Sequence, residues 1–185
     1  FIFFLLFLLS LSTRSEERLL FVTEEFPPYN FLEEKKIKGL SWEVVTEMIK
    51  RVPNHNVEIN LYPWLRAYNI ALKTENTAIF SIGRNTERES LFHWVGIISP
   101  AQFYLFALSS RHEINPTSLE DAKSYTVGTF PKSVREQYLL EHGFKQNRNL
   151  ISIYSYERLF DMLRLKRIDL WPMNELLAYH IVRKK

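Results

Sequence analysis

The chain has 185 residues, 46% of them hydrophobic and 24% charged, with 14 Phe, 9 Tyr and 4 Trp; so much apolar surface offsets the entropy of ordering and excludes a disordered chain. It has no cysteine, which excludes a disulfide framework and a thiolate metal site. The net charge of +3 is mild and the basic residues are scattered except at Arg183, Lys184 and Lys185, so there is no electrostatic footprint for nucleic acid.

Phe1 to Ser12 is almost wholly apolar and runs into the polar stretch Thr13 to Arg18. Residues 1–18 read as a signal peptide or leader, with Ser10 and Ser12 as small residues for cleavage. A retained membrane anchor is the competing reading, but it needs about 20 apolar residues. The chain opens on Phe1 rather than Met, so upstream sequence is expected.

From Leu19 onward, short apolar runs alternate with amphipathic stretches, the pattern of an α/β fold. A strand is expected at Leu19 to Thr23, then a loop through Glu24, Glu25, Phe26, Pro27, Pro28 and Tyr29, because paired prolines cannot continue a ladder. Leu40, Val44, Val45, Met48 and Ile49 predict one apolar face of a helix over Leu40 to Arg51, ended by Pro53. A strand over Val57 to Tyr62 leads to a helix opened by Pro63 and running to Lys73. Ala78 to Ile82 is the next strand. It ends in the polar turn Gly83 to Arg88, at the kind of strand terminus where open α/β sheets bind ligands.

Phe92 to Ile98 and Gln102 to Leu108 are further strand candidates, and the polar stretch Ser109 to Ser118 marks a boundary. The rhythm then restarts with a strand at Tyr125 to Gly128 and a helix from Ser133, which can cap it, to His142 before Gly143. A strand at Ile151 to Tyr154, a helix at Tyr156 to Lys166, a strand at Asp169 to Met173 and a helix from Asn174 complete the pattern.

Enzyme signatures are missing from the sequence. The five glycines form no phosphate-cradling cluster, no histidine pair has zinc-binding helical spacing, and no G-x-S-x-G elbow exposes a serine. No metal and no cofactor is implied. What stands out is Arg84-Asn85-Thr86-Glu87-Arg88 after a strand: guanidinium forks suited to gripping a carboxylate through two hydrogen bonds, or a solvated turn. Tyr29 and Trp64 are candidate aromatic contacts. Phe130, Trp94, Trp171 and Asp169 are expected to be structural.

Four landmarks in this order resemble the type 2 periplasmic solute-binding proteins, in particular the amino-acid-binding group of bacterial ABC transporters. They are Phe26-Pro27-Pro28-Tyr29, Gly39-Leu40-Ser41-Trp42-Glu43, Arg84 to Glu89, and Ser118-Leu119-Glu120-Asp121-Ala122 before Tyr125-Thr126-Val127-Gly128. The resemblance covers the chain from Leu19 to its end. It implies two α/β lobes closing on a ligand by hinge motion, lobe one over residues 19–107 and lobe two over 108–185, with the family's return segment to lobe one missing and the C-terminal part truncated. It implies that Arg88 grips a ligand carboxylate. Tyr29, Trp64, Arg84, Ser133 and Asn174 are the further ligand-facing candidates.

Two departures shape the expected ligand. Lys132-Ser133 stands where the family usually has Gly-Thr, adding a cation, and Asn174 stands where it tends to place the acid that pairs with a ligand ammonium; a slip of one residue would put Glu175 there. The resemblance thus implies an exported, periplasmic, monomeric protein, not an enzyme, that captures a small polar ligand, carboxylate-bearing or amino-acid-like, and hands it to an ABC permease. A cyclohexadienyl dehydratase-like enzyme on the same fold, using Glu24 or Glu25 as its acid, and the sensing domain of a receptor are the alternatives.

Overall fold

The computed structural model describes residues 18–52 and 56–184. The expected leader as far as residue 17, Pro53, His55 and Lys185 lie outside them, and Arg18, its expected last residue, opens the first strand. The first lobe is built on β1 (Arg18–Thr23), flanked in parallel by β4 (Asn56–Leu61) and β5 (Thr77–Ile79) in the order β4-β1-β5. Between β1 and β4 run β2 (Phe31–Glu33), β3 (Lys36–Lys38) and α1 (Leu40–Ile49), and α2 (Trp64–Lys73) connects β4 to β5.

β2 and β3 form an antiparallel hairpin that the sequence pattern does not predict. Its two turn residues, Glu34 and Lys35, both have positive φ (49° and 64°). Such turns usually announce themselves by Asn-Gly or Asp-Gly; here two charged residues hold the conformation, so the local signal is absent.

α1 begins where expected but buries less than its periodicity implies. Ser41 and Val45 are inside, whereas Leu40, Val44 and Met48 are exposed. Its N-terminus has no side-chain cap. Instead Leu40 N–H donates to the Pro28 carbonyl at 3.1 Å, and Ser41 and Trp42 N–H donate to that of Tyr29 at 2.9 and 3.3 Å. Gly39, at φ 122°, makes this possible: a Cβ there would stand 2.3 Å from the Tyr29 oxygen. The Pro-Pro-Tyr loop thus serves as the cap and is held against the helix.

Phe92 to Ile98, expected as a strand, is irregular, with Val95 92% and Ile97 88% exposed. An apolar alternating run needs a neighbouring strand edge to become a strand. None pairs with it. Phe92 instead meets Tyr68 edge-on, and Arg84 lies over Trp94.

β6 (Phe103–Phe106), which falls inside the expected lobe one, instead pairs antiparallel with β9 (Trp171–Asn174) in the second lobe, where β7 (Val127–Thr129) pairs in parallel with β8 (Leu150–Ser152). A bridge between Val127 and Leu170 joins the two pairs. α3 (Leu119–Ala122), α4 (Val134–Glu141), α5 (Tyr156–Arg164) and α6 (Glu175–Lys184) cover this layer. Ser118, Ser133 and Ser155 each accept a backbone N–H at the start of α3, α4 and α5, and Gly143 at φ 88° ends α4. The core joins Leu159, Phe160 and Leu163 of α5 to Leu177 and Ile181 of α6 around Trp171 and Met173. Trp171 is core, as expected. Asp169 is structural, accepting from Thr126 N–H at 2.8 Å and from Arg111.

Candidate functional site

The carboxyl ends of β1 and β5 face the start of α4, and Arg88 lies between them. It ends a 3₁₀ turn, Thr86–Arg88, in which the Asn85 side chain accepts Arg88 N–H at 3.1 Å. The side chain is 1% exposed. Nη1 donates to the Gly83 carbonyl at 2.9 Å and Nη2 to the Lys132 carbonyl of the second lobe at 2.9 Å. The guanidinium lies 5.2 Å from the Trp64 ring centre and 5.3 Å from that of Tyr68, residues one turn apart on α2. Trp64 Nε1 donates to the same Lys132 oxygen at 3.1 Å. Burial depresses the Arg88 pKa from its ordinary value. Among the described residues no carboxylate forms an ion pair with it, and its Nε has no hydrogen-bond partner.

Lys132 enters the site by its backbone. It has φ 54°, its side chain is exposed, and its carbonyl rather than its ammonium meets Arg88. Arg84 also departs from expectation: it is exposed, ion-paired with Glu89 through Nε at 2.8 Å, and stacked over Trp94. Its guanidinium is committed outside the cleft. Ser133 is buried, but its hydroxyl accepts Glu136 N–H at 3.2 Å as the cap of α4 and lies 3.4 Å from Thr129 Oγ1.

Tyr29 and Asn174 meet across the lobes. Both are buried, and Asn174 Nδ2 donates to the Tyr29 hydroxyl at 3.1 Å while its Oδ1 accepts Leu177 N–H at 3.2 Å, capping α6. Glu175 is partly exposed in the first turn of that helix.

A second polar cluster was not legible in the sequence. Glu24, just after β1, receives a long hydrogen bond from the Tyr156 hydroxyl, 3.4 Å to Oε2, and Tyr156 in turn accepts from Arg135 Nη2 at 3.3 Å. Burial pushes the Glu24 pKa up to about 7, against the opposing pull of Arg135, the Tyr156 bond and Arg88. Burial also raises the Tyr156 phenol. Asn30, buried beside Glu24, donates to the Glu24 carbonyl and accepts from the Ser81 hydroxyl, tying the loop to the end of β5. One sequence signal could have found Arg135: a cation in the first turn of a helix opposes the usual dipole preference for acids there.

The lobes are therefore closed on one another through Arg88–Lys132, Trp64–Lys132, Asn85–Gln137 at 3.0 Å, Tyr29–Asn174 and Glu24–Tyr156. An open depression of about 400 Å³ is lined by lobe-two residues, including Pro131, Glu136 and Tyr154, and includes neither Arg88 nor Arg135. Among the described residues no group of acids and histidines is placed to hold a metal ion, and no helix is long and apolar enough to cross a membrane.

No protein-family model and no curated protein matches the chain. Solved structures do. The chain is similar to holo ArgBP from T. maritima, at 16% identity over 90% of this chain and 73% of that one, with a TM-score of 0.73. The arginine-, lysine-, histidine-binding protein ArtJ from Geobacillus stearothermophilus matches at 13% identity over 91% and 71%, with a TM-score of 0.76. A histidine kinase sensor domain with similarity to periplasmic binding proteins matches at 21% identity over 92% and 74%, with a TM-score of 0.74. The chain has the mixed α/β, two-lobed fold of the type 2 periplasmic solute-binding proteins.

Proposed function

We propose that this chain binds a small carboxylate-bearing solute between its lobes, outside the cytoplasm, and delivers it to a membrane permease of the ABC type. The observation that carries the reading is Arg88: a fully buried guanidinium, sleeved by Trp64 and Tyr68, whose described partners are all neutral oxygens. An isolated buried charge is costly unless paired. A carboxylate reaching Arg88 supplies the missing counter-charge, and closure of the lobes around it excludes water and strengthens the pair. Tyr29, Trp64, Ser133 and Asn174 complete the proposed lining. No chemistry is needed for this role.

A calorimetric screen of small carboxylic acids against the wild-type protein and Arg88→Gln tests the proposal. Saturable binding that disappears in the variant supports it; binding that survives unchanged refutes it. Similarity to a histidine kinase sensor domain favours a second reading, in which the same cleft senses rather than delivers the solute. Glu24 titrates where an enzyme's acid would, and incubation with prephenate tests the dehydratase alternative: product formation would overturn a purely binding role.

A further inference from the structure

Arg135 repeats, on the second lobe, the unusual situation of Arg88 on the first. It is 7% exposed. Its guanidinium carbon lies 5.3 Å from the ring centre of Phe103, 5.7 Å from Tyr156 and 6.0 Å from Phe26, the last reaching over from the first lobe. Aromatic faces stabilise a cation but accept none of its in-plane N–H bonds. The Tyr156 hydroxyl, 3.3 Å from Nη2, is a weak partner, and Nε has none among the described residues. No described carboxylate lies in ion-pair contact with it.

Glu24 is attracted by both guanidiniums through space but forms an ion pair with neither. Its hydrogen-bond route to Arg135 runs through the Tyr156 hydroxyl, and burial raises its pKa to about 7 against the direct pull of Arg135. The cleft thus holds two buried guanidiniums with, among the described residues, no carboxylate in ion-pair contact with either. The two cations are also neighbours, since Arg135 lowers the Arg88 pKa through space.

We propose that Arg135 forms a second anion subsite, so that the cleft takes a solute with two acidic groups, one bound by each buried guanidinium. The proposal rests on the reading of Arg88 as the first anchor. It assigns Phe26, Phe103 and Tyr156 as the apolar walls that strengthen the second pair by excluding water. The solute class is a small dicarboxylate or a comparable dianion.

Isothermal calorimetry at pH 7 separates this inference from the reading beneath it. The probes are straight-chain diacids of four to seven carbons and the monoacids of equal length. The wild-type protein is expected to bind its best diacid about 100-fold more tightly than the matched monoacid, the gain typical of a buried charge pair. In Arg135→Gln that ratio should collapse to within a few-fold, in Arg135→Lys it should recover in part, and thermal melts check that both variants fold. The wild-type ratio needs no variant. Equal affinity for diacid and monoacid, or a ratio indifferent to Arg135→Gln, overturns the second subsite while leaving Arg88 as a carboxylate anchor. Absence of binding to every acid overturns both.

Discussion

The Arg88 guanidinium donates to the Lys132 carbonyl across 44 residues of sequence, at 2.9 Å, and so joins the end of the first lobe's sheet to the start of a second-lobe helix. The same oxygen accepts from Trp64. The residue proposed to hold the solute is thus also a tie that holds the lobes together, which makes solute binding and closure parts of one event.

Arg88→Ala is therefore expected to cost about 2–5 kcal/mol of solute affinity. Arg88→Lys should recover little, because an ammonium is a point charge and cannot serve Gly83, Lys132 and a carboxylate in the geometry of a planar fork. Calorimetry on both variants checks this. Wild-type affinity in Arg88→Lys would show that charge alone, not the fork, matters.

Glu24 gives stability a definite pH dependence. Its folded pKa of about 7 lies above the ordinary 4.5, so between those values the folded chain binds more protons than the unfolded one. Stability contributed by protonated Glu24 is present at low pH and is lost as pH rises toward 7, by at most about 3 kcal/mol. Glu24→Gln should flatten that fall. Urea unfolding at pH 5, 6, 7 and 8 measures it, and an unchanged slope in the variant would exclude Glu24 as its source.

Asn174 caps α6 and bonds Tyr29, so Asn174→Ala should destabilise the fold by about 1–2 kcal/mol. A double-mutant cycle with Tyr29→Phe should return a coupling of about 0.5–1.5 kcal/mol. For binding, a neutral amide offers no counter-charge to a ligand ammonium. Ordinary α-amino acids should bind weakly to the wild type and better to Asn174→Asp. Tight binding of an amino acid that is abolished by Glu175→Gln would show that Glu175 supplies the acid instead.

Gly39→Ala should destabilise the protein by about 2 kcal/mol or more, since φ 122° is a glycine conformation and the new Cβ would press on the Tyr29 carbonyl. The loop carrying Phe26 and Tyr29 would shift with it. Denaturation together with solute affinity checks both effects; an unperturbed melting curve would refute the close approach.

The order of strands and helices was legible along the chain because it is written in local periodicity. Val22 and Val45, the serine caps and Gly143 each act within a few residues of their own position. Local pattern failed where a partner had to come from elsewhere. Phe92 to Ile98 has the alternation of a strand but pairs with no strand among the described residues, while the β2–β3 hairpin pairs without a turn signal.

The candidate site divides the same way. Arg88 could be singled out because a rigid fork after a strand end is a local motif; by itself the sequence determined the α/β class and pointed to that arginine. Only the tertiary structure decided that Arg84 turns outward to Glu89, that Lys132 offers its carbonyl, and that Glu24 shares a cluster with Tyr156, 132 residues away, and Arg135. The physical reason is that burial and counter-charge are properties of a place, not of a residue: Arg135 lies in the first turn of an ordinary helix, and only the packing of the lobes brings Phe26 over it and leaves its Nε without a partner among the described residues.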